Sequence, residues 1–284
     1  MKRIMIVPNP GKDPGLEITK KTVSKLADLG FAVSMDKSYT KFGVALVDYL
    51  DDPALDSELI IVIGGDGSVI DASTVAVRAD IPILGINLGK VGYLSEVEPS
   101  EINVISKIAK GEYKIVERML LSAEKYNAQG ESTLASRLAV NDVIISNEVC
   151  SIADLTVENG QGDLIKYRAD GVVVATPIGS TAYSLSAGGP VVSHNIDSII
   201  VTPVCPHSLF NRSIIFEPSE FIKVTNNSQR ELCVGMDGRK FSKLSRGECV
   251  VIKRSEKRLK MLTFTENKML SALFKKIRAL EESV

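Results

Sequence analysis

After the apolar run "ELIIVI" the chain carries "GGDGS", Gly64–Ser68, five residues that suit chemistry better than packing. Glycines let backbone N–H groups approach an anion closely, and a helix N-terminus favours negative charge. Asp66, in the same loop, is repelled by any bound phosphate, so a purely binding role suits it badly. It can instead orient a hydroxyl that attacks phosphorus and take its proton. Read alone, Asp66-Gly67 is equally well a turn dipeptide. The two familiar phosphate fingerprints are absent. No lysine follows to complete G-x-x-x-x-G-K-[ST], and Ile70 stands where the last glycine of G-x-G-x-x-G belongs.

Four further stretches carry polar groups in unusual company. "INLGKVGYLSE" (Ile86–Glu96) puts a second glycine loop after the next strand, with Tyr93 either a packing aromatic or a stacking surface for a flat base. "LAVNDVIIS" inserts Asn141-Asp142 into an apolar strand pattern. Burying an amide and a carboxylate together is costly without partners. They fit a strand-end bulge, or hydrogen bonds to a sugar or base edge. "YRADGVVVATPIGSTAYSLSAGGP" (Tyr167–Pro190) gathers Asp170, Thr176, Ser180, Thr181 and Tyr183 around Gly179 at a helix start. Ser180 or Thr181 is there an N-cap, or the set receives a sugar or nucleotide. "GMDGR" reads first as a hairpin turn at Asp237-Gly238. His207, one of two histidines, is read as structural.

The elements that must position these groups fall into two textures. Up to about residue 112, apolar runs ("RIMIV", "FAVSMD", "LIIVIGG", "IPILGIN") alternate with helical spacings. These include Ile18, Val23, Leu26 and Ala27 at helical spacing closed by Gly30, a helix over "FGVALVDYL" (Phe42–Leu50), one opened by Ser68 with Asp71 as capping-box partner, and one over "SEINVISKIAKG". Continuously apolar strands between helices predict a parallel sheet covered on both faces. From about Lys114 short β-rich segments follow one another between turn signals. "NKMLSALFKKIRAL" then returns to helical spacing and is expected to pack back on the first domain. The expected division is 1–112, an α/β domain; 113–255, a β-rich domain; and 256–284, the returning segment.

Composition sets bounds. The 284 residues are 44% apolar and 24% charged, with formal charge −1. Basic residues are scattered, which argues against nucleic acid and against a membrane surface as partner. Cys150, Cys205, Cys233 and Cys249 lack metal-type spacing, and idle thiols fit a reducing cytoplasm. No apolar run approaches membrane-span length.

Taken in order, "GGDGS", "NLGKVGYL", "NDVIIS", "YRADG", "TPIGSTAYSLSAGGP" and "TPVCPHSLFNR" resemble the ATP-NAD kinase family, from the first strand to about Lys253. The long block ending at Pro190 is more specific than GGDG, which diacylglycerol-type and sphingosine-type lipid kinases and phosphofructokinases also carry. The resemblance implies a phosphofructokinase- or diacylglycerol-kinase-like α/β domain, a β-rich domain, and a site in the cleft between them. It also implies a homo-oligomer, dimer or tetramer. The implied reaction moves the γ-phosphoryl group of ATP, presented with Mg²⁺, to the 2′-hydroxyl of the adenosine ribose of NAD. By position, Asp66 matches the catalytic aspartate, and Gly64, Gly65, Gly67 and Ser68 match the ATP-phosphate loop, with Asp66 and Gly67 also on the NAD side. Tyr93 falls where an adenine-side phenylalanine is usual. Asn141 and Asp142 match the Asn-acid pair that holds NAD. Asp170, Thr181, Ala182, Tyr183 and Ser186 match positions lining the NAD site, Arg168 a basic position linked to preference for NAD, and Asp237 a late site-edge loop. Ser68 replaces the usual threonine, and Ile178 stands where a hydroxyl residue is common. The competing readings are a GGDG-type lipid kinase, which needs an apolar acceptor pocket, and a non-catalytic NAD sensor, which can dispense with Asp66.

Overall fold

The structure, a computed structural model, describes residues 2–89, 92–147, 151–207, 210–265 and 273–274. The chain forms two compact units, Met1–Glu117 joined by the segment from Leu259 onward, and Arg118–Arg258.

In the first unit five strands are parallel: β1 (Arg3–Pro8), β2 (Ala32–Asp36), β3 (Asp48–Leu50), β4 (Ser57–Gly64) and β5 (Ile83–Asn87), in spatial order β5-β4-β1-β2-β3. Ile60, Ile61, Val62 and Ile63 of β4 and Ile83, Leu84 and Ile86 of β5 are fully buried. That is why their sequence runs are apolar without alternation. Helix α1 (Glu17–Asp28) buries Thr19, Thr22, Val23 and Leu26, one helical stripe. It ends before Gly30, whose φ of +85° is the left-handed turn that glycine tolerates. Helix α2 (Asp66–Ala79) buries Val69, Ala72, Ser73, Ala76 and Val77.

Three sequence expectations fail here. Phe42–Leu50 is not helical. A 3₁₀ segment (Lys37–Phe42) stops at Gly43 (φ +58°), and Asp48–Leu50 pairs in parallel with β2. The capped helix expected from Ser100 is a 3₁₀ segment from Pro99 to Ile105, followed by a short α3 (Ser106–Lys110) that ends at Gly111. Finally, α2 does not open at Ser68. It opens at Asp66 after an extended Gly65, with no side-chain cap.

The second unit is antiparallel. Its strands are β6 (Lys114–Tyr126), β7 (Ser132–Ala139), β8 (Asp142–Ser146), β9 (Ala153–Asn159), β10 (Leu164–Ala169), β11 (Gly171–Ala175), β12 (Ile199–Val204), β13 (Ile214–Phe216), β14 (Phe221–Asn226), β15 (Leu232–Met236), β16 (Arg239–Leu244) and β17 (Cys249–Thr263). One sheet runs β13-β12-β11-β8-β15-β16, and β10-β9-β14-β17 run side by side in another. Val143, Ile145, Val172, Val174, Val201 and Val234 meet Leu155, Val157, Ile222, Val224 and Ile252 in one core. A 3₁₀ turn (Gly179–Thr181) and α4 (Tyr183–Ser186) follow β11. The end of β17 belongs to the first unit, where Met261 pairs in parallel with Ile83. The helix expected over "NKMLSALFKKIRAL" lies, apart from Leu273 and Phe274, outside the described residues.

Candidate active site

In the first unit the ends of β1, β4 and β5 supply three loops. β4 delivers Gly64, where an added Cβ would run into the Ser68 side chain. Glycine is therefore required for the first turn of α2 to fold back so closely. Ser68 does not cap the helix; its Oγ accepts from Asn9 Nδ2 at 2.8 Å, tying the loop after β1 to α2. The N–H groups of that first turn, at Asp66 and Gly67, have no partner within the helix.

Asp66 sits on this helix start and reaches the loop after β5. Its Oδ2 accepts the Tyr93 N–H at 2.8 Å and its Oδ1 the Leu94 N–H at 3.1 Å, with Ser95 Oγ at 3.5 Å. Each carboxylate oxygen has two lone pairs, so the clamp leaves room for a substrate hydroxyl. Gly92 is pressed against the same carboxylate, with 3.0 Å between an added Cβ and Asp66 Cγ. Burial, and then the Asp66 charge, push the Tyr93 phenol up from its ordinary value. The two glycine loops are thus joined through the acid that the sequence singled out. Lys12, from the loop after β1, also stands here: its Nζ would be 2.5 Å from a Cβ on Gly65 and 3.4 Å from one on Gly89. Sequence reading passed over it because the loops are contiguous in space and not in the chain.

In the second unit Asn141 lies between two strands and Asp142 is the first residue of the second, so the pair is not an insertion within one strand. It is the joint between β7 and β8. The joint is held by Asp237, at the β15–β16 turn. Asp237 and Gly238 have φ of +49° and +74°, the left-handed pair that a two-residue hairpin turn requires. Asp237 Oδ2 accepts the Val140 N–H at 2.8 Å; Oδ1 accepts those of Asn141 at 2.7 Å and Asp142 at 3.3 Å. From the other side Thr176 donates its N–H to Asn141 O at 2.8 Å and its hydroxyl to Val140 O at 2.6 Å. Gly179 lies so close to the Asn141 backbone that an added Cβ would be 2.5 Å from its carbonyl carbon.

Three blocks far apart in sequence therefore converge on one joint. Asp142, 3% exposed, has its carboxyl pushed up to about 7 by burial and by the Asp237 charge. Asp237 is also raised, by burial first, against the lowering effect of its three N–H bonds and Arg239.

The remaining residues of the sequence-derived set are placed as follows. Neither Ser180 nor Thr181 caps α4: Ser180 Oγ donates to Pro177 O at 2.6 Å and Thr181 Oγ1 to Ile178 O at 3.1 Å, while the N-cap is Ala182. Ile178 is buried. Tyr183 is 45% exposed and Ser186 is exposed beside it. Arg168, on β10, pairs through Nε with Asp154 at 3.2 Å, both well exposed. Asp170, between β10 and β11, is exposed, and its backbone N–H bonds Val204 O at 3.0 Å. Among the described residues no three His, Cys, Asp or Glu side chains form a metal-holding group. No helix among them is long and apolar enough to cross a membrane.

Chemically, one unit offers an anion-binding helix start with an acid beside it. The other offers a polar joint fixed from both sides by Asp237 and Thr176. Family models match both: the ATP-NAD kinase N-terminal domain over residues 4–113 and the ATP-NAD kinase C-terminal domain over residues 140–264. An NAD kinase of Thermoanaerobacter sp. (strain X514) is 36% identical over 264 residues, 90% of this chain and 91% of that protein. Among solved structures, an NAD kinase from Archaeoglobus fulgidus in complex with ATP superposes with a TM-score of 0.75 at 25% identity, covering 97% of this chain and 98% of that one. Yeast NADH kinase complexed with NADH shares the fold, with a TM-score of 0.86 at 23% identity over 96% of this chain and 86% of that one.

Proposed function

The chain belongs to the ATP-NAD kinase family, and from that premise we propose how its own residues make NADP from NAD and ATP. The γ-phosphoryl group of ATP goes to the 2′-hydroxyl of the adenosine ribose of NAD. In such a transfer the protein's work is positioning and charge stabilisation.

Asp66 orients the acceptor hydroxyl and takes its proton. The first-turn N–H groups of α2 and the Gly64–Ser68 loop hold the donor phosphates, with the positive end of the helix facing them. The divalent cation arrives as part of the donor, as Mg-ATP, bound through phosphate oxygens. Asn141 and Asp142 hold the dinucleotide, with Asp170, Thr181, Ala182, Tyr183 and Ser186 lining its site. Tyr93 faces the adenine, Arg168 favours NAD over NADH, and Asp237 holds the Asn141-Asp142 joint. The Ser180 and Thr181 hydroxyls donate to backbone carbonyls, so Thr181 contributes to the lining through its shape and backbone. The protein acts in the cytoplasm as a homo-oligomer, dimer or tetramer.

The observation that carries this reading is the Asp66 carboxylate, held by the Tyr93 and Leu94 N–H groups at the mouth of two glycine loops. The test is to incubate the protein with Mg-ATP and NAD and assay NADP. NADP formation supports the kinase. Tight NAD binding without product favours a sensor, and phosphorylation of a diacylglycerol instead favours a lipid kinase.

A further inference from the structure

We propose that Lys12 is the cation for the donor's phosphates, supplied from the loop after β1 and not from the helix that begins the phosphate site. The inference rests on the kinase reading and adds to it a residue that binds the donor.

A nucleotide triphosphate carries several negative charges, and sites for it pair backbone N–H groups with a mobile ammonium. The residues after Gly67 offer none, since the sequence runs Ser68, Val69, Ile70, Asp71. Lys12 fills that place from elsewhere in the chain. Its Nζ lies over both glycine loops, 2.5 Å from where a Cβ of Gly65 would be and 3.4 Å from that of Gly89. A side chain at Gly65 would occupy the space the ammonium holds.

The loop that carries Lys12 is fixed. Asn9 donates its N–H to Ile63 O at 2.8 Å, and its side chain bonds Ser68 Oγ. The N–H groups of Lys12 and Asp13 both return to Asn9 O at 2.9 Å. The neighbouring acid does not neutralise the lysine. Asp13 is buried and accepts the Ile18 and Thr19 N–H groups and the Thr19 hydroxyl at the start of α1. Asp66 is turned to Tyr93 and Leu94. Among the described residues Lys12 enters no ion pair.

An ammonium beside the positive end of α2 is electrostatically unfavourable by itself and favourable once an anion lies between them. That arrangement fits a terminal phosphate, which would receive N–H groups from one side and the ammonium from the other. Lysine suits the role, because a compact charge on a flexible stem follows the phosphate as charge redistributes during transfer.

The test compares wild type with Lys12→Gln and Lys12→Arg. Calorimetric titration with Mg-ATP, without NAD, decides the inference whether or not the protein turns over. Lys12→Gln is expected to weaken Mg-ATP binding about 10- to 100-fold, Lys12→Arg to recover most of it, and NAD binding to stay as in wild type. Melting temperatures should not move, since Lys12 is exposed and has no ion-pair partner among the described residues. Unchanged Mg-ATP affinity in Lys12→Gln, or a loss confined to NAD, overturns the inference. Failure of the wild type to form NADP overturns the kinase reading, a separate result read in a separate assay.

Discussion

Asp66 in the α/β unit and Asp237 in the β-rich unit use their carboxylates in the same way. Each accepts consecutive backbone N–H groups from a loop distant in sequence, Tyr93 and Leu94 in one case and Val140, Asn141 and Asp142 in the other. Their surroundings differ. Asp66 is partly exposed at a helix start, where the dipole favours a negative charge and a hydroxyl can still approach. Asp237, itself partly exposed, acts on a second carboxyl, the buried Asp142, and both are pushed toward the neutral form. One geometry thus serves two ends. At a helix start a clamped carboxylate stays available for chemistry, whereas between strands it is a fastener that makes its neighbour's charge costly.

The largest effect should come from separating the two roles of Asp66. Asp66→Asn retains an oxygen for one loop N–H but removes the proton acceptor. Turnover should fall about 10²- to 10⁴-fold, with KM for NAD near that of wild type. Steady-state kinetics with NAD varied at saturating Mg-ATP measures both. Undiminished turnover would leave Asp66 a fastener like Asp237 and dissolve the contrast.

Asp237→Ala tests the other side. Three N–H groups lose their acceptor, so unfolding free energy should drop by about 1–3 kcal/mol. KM for NAD should rise while kcat changes little, because the joint carrying Asn141 and Asp142 loosens without touching Asp66. Denaturant melts and kinetics together decide. Lower stability with an unchanged KM for NAD would make the clamp merely structural.

How much of this was legible in the sequence depended on how local the determinant was. Runs such as "LIIVIGG" declare buried parallel strands by composition alone, and "GGDGS" and "DG" at Asp237-Gly238 carry their backbone demands within four or five residues. The short edge strand Asp48–Leu50 did not show, because its only warrant is pairing with β2. Asn141-Asp142 looked like an insertion in one strand because the residue that folds it into a joint lies 96 positions further on. Lys12 was invisible for the same reason. A search for a phosphate lysine follows the chain, while the fold assembles the site from three strand ends. Gly65 also hid the start of α2, since an extended glycine with no capping side chain leaves no signal at that position.

Two glycines sharpen the comparison at smaller amplitude. A Cβ at Gly179 would press on the Asn141 backbone, which is held on both sides and has nowhere to go. Gly179→Ala should therefore cost about 1–3 kcal/mol of stability. At Gly92 the Cβ meets the end of the Asp66 side chain, which can swing. Gly92→Ala should leave the melting temperature nearly in place and lower turnover by displacing the carboxylate. Thermal melts and kcat of the two variants should move in opposite proportion. Equal losses of stability would show that the Asp66 clamp is as rigid as the Asp237 one.

The least forceful effect is the pH dependence that the Asp142–Asp237 pair imposes. The Asp142 carboxyl is raised from 3.8 to about 7 in the fold, so between those values the native state binds more protons than the unfolded chain. Stability is then fully present below the ordinary carboxylate range and is lost as pH rises through about 7, with a slope of at most about 1.4 kcal/mol per pH unit for one proton. Asp142→Asn keeps the shape and removes the titration. Its melting temperature should fall less than that of wild type between about pH 5 and pH 8 and exceed it at the upper end. Asp237→Asn removes the charge facing Asp142, so the remaining carboxyl should titrate lower, and the loss should be smaller and complete at lower pH. Parallel melting curves for wild type and Asp142→Asn across that range would mean the two acids do not oppose each other in the folded chain. The difference in electrostatic setting between Asp66 and Asp237 would then have to come from the helix start alone.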